Sequence, residues 1–236
     1  MSNWELSSFA NATGVADQCA AEFLARLAPA STTTWVALSG GRIAQGFFRA
    51  VARLAQARGQ SLAHVHFFWA DERYVPADHA ESNYRSAAEL LFTPLGLAAL
   101  NLHRIRGEEA PECAANKAEA ELRRFAPVNA TGQPVLDLVL LGMGEDGHVA
   151  SLFPSEPEDV MKSPAVYRAV TASKPPPRRI TLGYATIAAA HEVWVLASGA
   201  GKEAALRESL SPTGRTPLAR VLREREGTRI FTDLAT

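Results

Sequence analysis

Apolar side chains recur at helical spacing over residues 12–28, where Val15, Cys19, Phe23 and Leu27 share one face, so a helix is predicted there. The pattern then changes. Trp35-Val36-Ala37-Leu38 is a short unbroken apolar run of the kind that forms a strand buried on both sides. The alternation continues with a helix over 43–57, a strand at 65–69, helices at 83–91 and 112–125, a strand at 137–141, a strand at 193–197 and a helix at about 201–209. Strands without polar alternation, separated by amphipathic helices, imply an α/β fold: a doubly wound, mainly parallel sheet with helices on both faces. No repeat or low-complexity tract interrupts it. Lys174-Pro175-Pro176-Pro177 reads as a stiff surface loop, too short to separate domains, so 1–236 is expected to form one α/β domain. Alanine-rich helix faces such as 112–120 suit either the core or a contact between subunits, which leaves a monomer or a small homo-oligomer.

Composition narrows the class of partner. Of 236 residues, 47% are apolar and 21% charged, the profile of an ordinary globular chain. With 24 Lys+Arg against 25 Asp+Glu, the net charge of −1 argues against a nucleic-acid partner, and any anionic ligand must be met by a few local cations. No apolar stretch approaches the roughly 20 residues of a membrane span, and Met1-Ser2-Asn3-Trp4-Glu5 lacks the basic start of an export signal, so no membrane partner and a cytoplasmic location are expected. Asn11-Ala12-Thr13 and Asn129-Ala130-Thr131 match the glycosylation pattern but are discounted on that ground. Cys19 and Cys113 are too few for a disulfide framework and are expected to be reduced and structural.

In open parallel sheets the ligand crevice lies outside the carboxyl ends of the strands, so the residues following each apolar run carry the chemistry. Ser39-Gly40-Gly41-Arg42 follows the first run; it forms a glycine-rich turn into a helix, where free N–H groups and the helix dipole favour phosphate. Arg42 adds a guanidinium suited to two-point phosphate contact, while the absence of Gly-Lys-Ser/Thr excludes a nucleoside triphosphate loop. Asp71-Glu72-Arg73 follows the second run. Asp71 can orient an imidazole or a sugar hydroxyl, and Arg73 can stabilise negative charge developing on a carbonyl oxygen.

The third end, Gly142-Met143-Gly144-Glu145-Asp146-Gly147-His148, spells Gly-x-Gly-x-x-Gly, yet it is not a dinucleotide fingerprint. That motif must open a helix, whereas Pro154 and Pro157 follow closely and Glu145-Asp146 would set carboxylates against a pyrophosphate. Gly142 and Gly144 instead let backbone approach a ligand, while Asp146 and His148 form a carboxylate–imidazole pair suited to general-base work. Arg179, after the proline run, and Lys202, after Gly199-Ala200-Gly201, are further cations at the same edge; Arg178 is left as surface.

Taken together, these segments closely resemble the 6-phosphogluconolactonases of the pentose phosphate pathway. Ser39-Gly40-Gly41, Asp71 to Pro76 with Ser82-Asn83, Leu141 to Pro154, Arg179-Ile180-Thr181 and Gly199 to Lys202 carry the likeness in order along nearly the whole chain; the run ending Ser151-Leu152-Phe153-Pro154 is the most specific. The resemblance implies the modified Rossmann-like fold of glucosamine-6-phosphate deaminases and cofactor-free, metal-free hydrolysis of 6-phospho-D-glucono-1,5-lactone, a small-molecule substrate. One departure is plain: the family's first loop runs Ser-Gly-Gly-Ser-Thr-Pro, and here Arg42-Ile43-Ala44 removes the hydroxyl donors. The sister deaminases carry a glutamate where this chain has Phe153 and a tyrosine where it has Arg73, and their ring opening needs that extra acid.

The implied chemistry assigns His148 as the base that takes a proton from the attacking water, with Asp146 or Asp71 holding its tautomer and Arg73 stabilising the oxyanion. Ser39, Gly40, Gly41, Arg42, Arg179 and Lys202 would fix the distant phosphate. Two other classes are weighed. A metallohydrolase would need Asp71, Glu72, His79, Asp146 and His148, which lack metal-ligand spacing; a sugar-phosphate sensor would need a DNA-binding module, for which the stretch before Trp35 leaves no room.

Overall fold

The computed structural model describes residues 3–27, 29, 31–154 and 156–235. Helix α1, Ala12–Arg26, starts at Asn11, whose side chain accepts a hydrogen bond from the Gly14 N–H; the last predicted position, residue 28, lies outside the described residues. Strand β2 is Thr34–Leu38, α2 is Arg42–Arg58, closed by Gly59 in the left-handed conformation, and β3 is Val65–Trp69. β4, Asp71–Arg73, follows at once. The predicted helix over 83–91 divides into α3, Asn83–Ala87, and a π-helical turn over Ala88–Phe92. Next come α4, Pro111–Phe125, β5, Leu138–Gly142, and the single turn α5, Glu158–Met161. β6, Tyr167–Thr171, β7, Arg178–Leu182, α6, Tyr184–Ala189, β8, Glu192–Ala197, and α7, Glu203–Leu210, lead to α8, Pro217–Glu224, and β9, Thr228–Thr232. An N-terminal strand β1, Trp4–Ser8, completes the set.

The central sheet is parallel throughout, in the order β1-β9-β8-β5-β2-β3. From β2 the chain steps outward through α2 to β3, then returns to the other side of β2 as β5 and proceeds through β8 to β9. Crossovers between parallel strands are right-handed, so reversing the direction of travel places the connecting helices on opposite faces. This is the doubly wound arrangement expected above. Its switch point lies between β2 and β5, and one contiguous core built on Phe23, Phe47, Phe67, Trp69, Trp194 and Phe231 holds it.

A second sheet, β4-β7-β6, is antiparallel and departs from the expected plan. It hangs from the carboxyl edge of β3: the Leu182 N–H donates to the Ala70 carbonyl and the Tyr167 hydroxyl to the Trp69 carbonyl. The proline run is the turn of its β6–β7 hairpin. Cys19 is buried as expected, but Cys113 is exposed on α4, where its thiol faces Glu109, so it is not a core residue.

Behind β3, the His66 and His103 rings share a hydrogen bond of 2.8 Å and Glu121 takes the other His103 nitrogen at 2.9 Å. Burial lowers both histidines below the ordinary value of about 6.5, His103 lowering His66 further, with Glu121 opposing and Arg124 reinforcing the effect on His103. Below that value the unfolded chain binds protons first, so this contribution to stability is present above about pH 6.5 and fades as pH falls. A paired His66→Phe and His103→Phe variant should lose less melting temperature than the parent between about pH 7.5 and about pH 5.5. Equal losses in scanning calorimetry would remove the pair as a source of acid sensitivity.

Candidate active site

The register Leu38↔Trp69, with Gly142↔Leu196, brings the ends of β2, β3, β5 and β8 to one edge. There, an open cleft of about 860 Å³ is lined by Ser39, Gly40, Gly41, Arg42, Asp71, Arg73, Gly142, Gly144, His148, Arg179 and Lys202. Every residue given a role in the lactonase reading is on its wall except Asp146, which reaches the site through its hydrogen bond to His148.

His148 is placed by a turn rather than by a helix. The Gly147 N–H donates to the Gly144 carbonyl and the Gly144 N–H to the His148 carbonyl, closing Gly144-Glu145-Asp146-Gly147 into a tight loop in which Gly147 takes a φ of 75°. Asp146 Oδ1 lies 2.5 Å from His148 Nδ1 and also accepts the His148 N–H. Burial raises the Asp146 carboxyl, but the hydrogen bond and charge of His148 outweigh it and leave the group below its usual range. An ionised Asp146 on Nδ1 fixes the tautomer with Nε2 unprotonated, the nitrogen a base would use.

Asp71 does something else. Only 4% exposed, it accepts a hydrogen bond from Ser151 Oγ at 2.8 Å, while Asn83 donates to its main-chain carbonyl. Of the two carboxylates proposed to orient His148, the hydrogen bond is made by Asp146. Asp71 keeps one carboxylate oxygen for the cleft, where sugar hydroxyls are the complementary donors. Ser151 in turn is fully buried and committed to Asp71, which is no place for a nucleophile. Glu72 lies beneath the cleft floor and caps α3: it accepts the N–H groups of Arg73, Asn83 and Tyr84 and the Ser82 hydroxyl. Burial pushes its carboxyl up to about 7 against those four bonds. Its role is to seat α3, whose Asn83 passes so close to Gly40 that a Cβ there would fall 1.8 Å from the amide oxygen.

The cations form two groups. Arg73 on β4 faces Arg179 on β7 in register, and burial, then the charge of Arg73, lowers Arg179. Arg73 binds the Glu81 carbonyl and carboxylate, whereas its Nε is buried without a partner; Arg179 Nε donates to the Pro176 carbonyl. Lys202 and Arg42, the latter at the start of α2, line the same cleft, and burial and then the Arg42 guanidinium lower the Lys202 ammonium. Gly41 caps that helix with no side-chain hydrogen bond, so its first N–H groups remain open to a ligand. Ser39 is buried, 4% exposed, and its Oγ has no hydrogen-bond partner. Unused donors and neighbouring cations at a helix N-terminus are what a phosphate requires. Arg178 stacks on Tyr74 at 4.6 Å and stays outside the cleft.

The sequence named Asn83 and Phe153 only as carriers of the family likeness, without a role, and did not show Ser151 as the anchor of Asp71 or Pro176 as the carbonyl that aims Arg179. The Phe153 ring lies against His148, with centroids 4.9 Å apart, and the Arg179 guanidinium lies over it, 5.7 Å from its centroid. His79 is engaged by the Glu81 N–H, and Asp71, Glu72, His79, Asp146 and His148 do not converge on one point.

The family model of glucosamine-6-phosphate isomerases and 6-phosphogluconolactonases matches residues 10–231, and the chain belongs to that family. A 6-phosphogluconolactonase of Treponema pallidum is 37% identical over 78% of this chain and 76% of its own length. A probable chloroplastic 6-phosphogluconolactonase of rice is 36% identical over 75% of this chain, and the match spans 55% of the rice protein, just over half its length. Among solved structures, the 6-phosphogluconolactonase of Trypanosoma brucei superposes with a TM-score of 0.86 at 28% identity, covering 98% of this chain and 97% of that one.

Proposed function

We propose that this chain hydrolyses 6-phospho-D-glucono-1,5-lactone to 6-phospho-D-gluconate, as the oxidative pentose phosphate pathway requires. The observation that carries the reading is the Asp146–His148 pair, with its free imidazole edge in a cleft whose far wall is cationic. His148 Nε2 removes a proton from water as the oxygen attacks the lactone carbonyl carbon. Arg73 and N–H groups of the glycine loop stabilise the oxyanion. As the tetrahedral intermediate collapses, the bond from the carbonyl carbon to the ring oxygen breaks and the imidazolium returns its proton to that oxygen. A lactone is already an activated ester, so no covalent intermediate is needed. Ser39, Arg42, Lys202 and the start of α2 hold the phosphate, joined by Arg179, and Asp71 takes sugar hydroxyls. The reading goes with a cytoplasmic monomer or small homo-oligomer; no helix of the described residues is long and apolar enough to cross a membrane.

The test is hydrolysis of freshly generated lactone above its spontaneous rate, with a chelator present and unphosphorylated gluconolactone as control. Acceleration of the phosphorylated lactone alone is expected. No acceleration, together with ammonia release from glucosamine 6-phosphate, would overturn the assignment. Because the phosphate is remote from the reacting carbon, Lys202→Ala should raise KM at least about tenfold with kcat nearly unchanged, the scale of one lost charged hydrogen bond. An unaltered KM would remove Lys202 from the phosphate site.

A further inference from the structure

The His148 imidazole lies in a slot. On one side is the bare Cα of Gly144, so close that a Cβ there would fall 2.1 Å from Nδ1 and Cε1. Also against it lies the Phe153 ring, centroids 4.9 Å apart and inclined at 44°. Asp146 pins Nδ1 at 2.5 Å. The carboxylate alone fixes one nitrogen but leaves the ring free to rotate about that hydrogen bond; packing against a rigid planar group removes this freedom. Phe153 is itself held, since the Arg179 guanidinium lies 5.7 Å from its centroid and is anchored through Nε to the Pro176 carbonyl.

We propose that Phe153 is a positioning residue for the base: it holds the His148 imidazole so that Nε2 faces the substrate carbonyl. The proposal rests on the lactonase reading above. Phe153 touches neither water nor lactone in this role. It acts by narrowing the range of imidazole orientations, and so bears on turnover and not on capture of the phosphate. An aliphatic side chain of similar bulk fills the space but offers no flat surface. An aromatic one with an added hydroxyl fits, because Phe153 also borders an open groove of about 470 Å³ beside Tyr184 and Arg215.

The experiment compares Phe153→Leu and Phe153→Tyr with the parent in steady-state hydrolysis of the phosphorylated lactone, alongside histidine NMR spectra of the ligand-free proteins. Phe153→Leu should lower kcat about tenfold with KM within twofold, and Phe153→Tyr should restore most of it. In the spectra, the His148 ring signals should shift in the leucine variant while those of His66 and His103, in their separate network, stay put. A rise in KM with kcat intact would overturn the proposal by assigning Phe153 to Arg179 instead of to the base. Equal kcat in all three proteins with unmoved His148 signals would overturn it outright. A parent protein inert toward the lactone would instead defeat the lactonase reading, and the NMR comparison would still decide whether Phe153 holds His148.

Discussion

Replacing His148 by alanine should lower kcat by about 100-fold or more while leaving KM and the melting temperature close to those of the parent. The size follows from what a general base contributes, about 10²–10⁴ in rate. The selectivity follows from position. His148 is partly exposed on the cleft wall, so its removal opens no large cavity, and the phosphate ligands on α2 are untouched. Asp146→Asn should also cost turnover, because an amide can present its N–H to Nδ1 and so stabilise the wrong tautomer, with the proton on Nε2. Near-normal turnover of His148→Ala in a stopped assay corrected for spontaneous hydrolysis would reject His148 as the base. Loss of activity accompanied by a large fall in melting temperature would show instead that the ring is part of the packing.

How much of this was legible in the sequence depends on what each element is made of. β2, β3, β5 and β8 are continuous apolar runs and announce themselves; their ends then direct attention to Ser39, Asp71, Gly142 and Lys202. β1 and β9 are five residues each and mix Ser, Thr, Glu and Arg with their apolar positions: β1 is the edge strand, whereas β9 is an inner strand whose buried Thr228 and Thr232 find their hydroxyl partners in Arg225 and the Ala197 carbonyl. The small antiparallel sheet was missed for a related reason. Its strands carry Asp71, Glu72, Arg73, Arg168 and Arg179, side chains that a strand tolerates only when partners elsewhere in the fold receive them. The partners of the two carboxylates lie elsewhere along the chain. Asp71 meets Ser151 across 80 positions, and Glu72 seats a helix that begins eleven residues later. Local spacing therefore found Asp146 and His148, two residues apart, but could not choose between Asp146 and Asp71 as the partner of His148. That choice needed the loop geometry.

The same loop geometry sets the last expectation. Gly144→Ala should abolish most turnover, by about 100-fold, although every side chain of the proposed chemistry remains. The new methyl would fall 2.1 Å from His148 Nδ1 and Cε1, far inside van der Waals contact, and something must move. What gives way is the imidazole, the end of a side chain with two rotatable bonds, and not the loop: the Gly144 N–H and carbonyl are both engaged, with the His148 carbonyl and the Gly147 N–H. The ring swings off Asp146 and away from the carbonyl it should serve, at a small cost in stability. Gly214→Ala supplies the opposite case. There the added Cβ would meet the main-chain carbonyl of Glu208 at 2.0 Å, which cannot rotate aside, so the α7–α8 connection must distort and the melting temperature should fall by several degrees. Activity per folded molecule should survive that change better than it survives Gly144→Ala. If Gly144→Ala turned over normally, the imidazole would have room that the slot denies it, and both the pinning by Asp146 and the placing of the base would have to be abandoned.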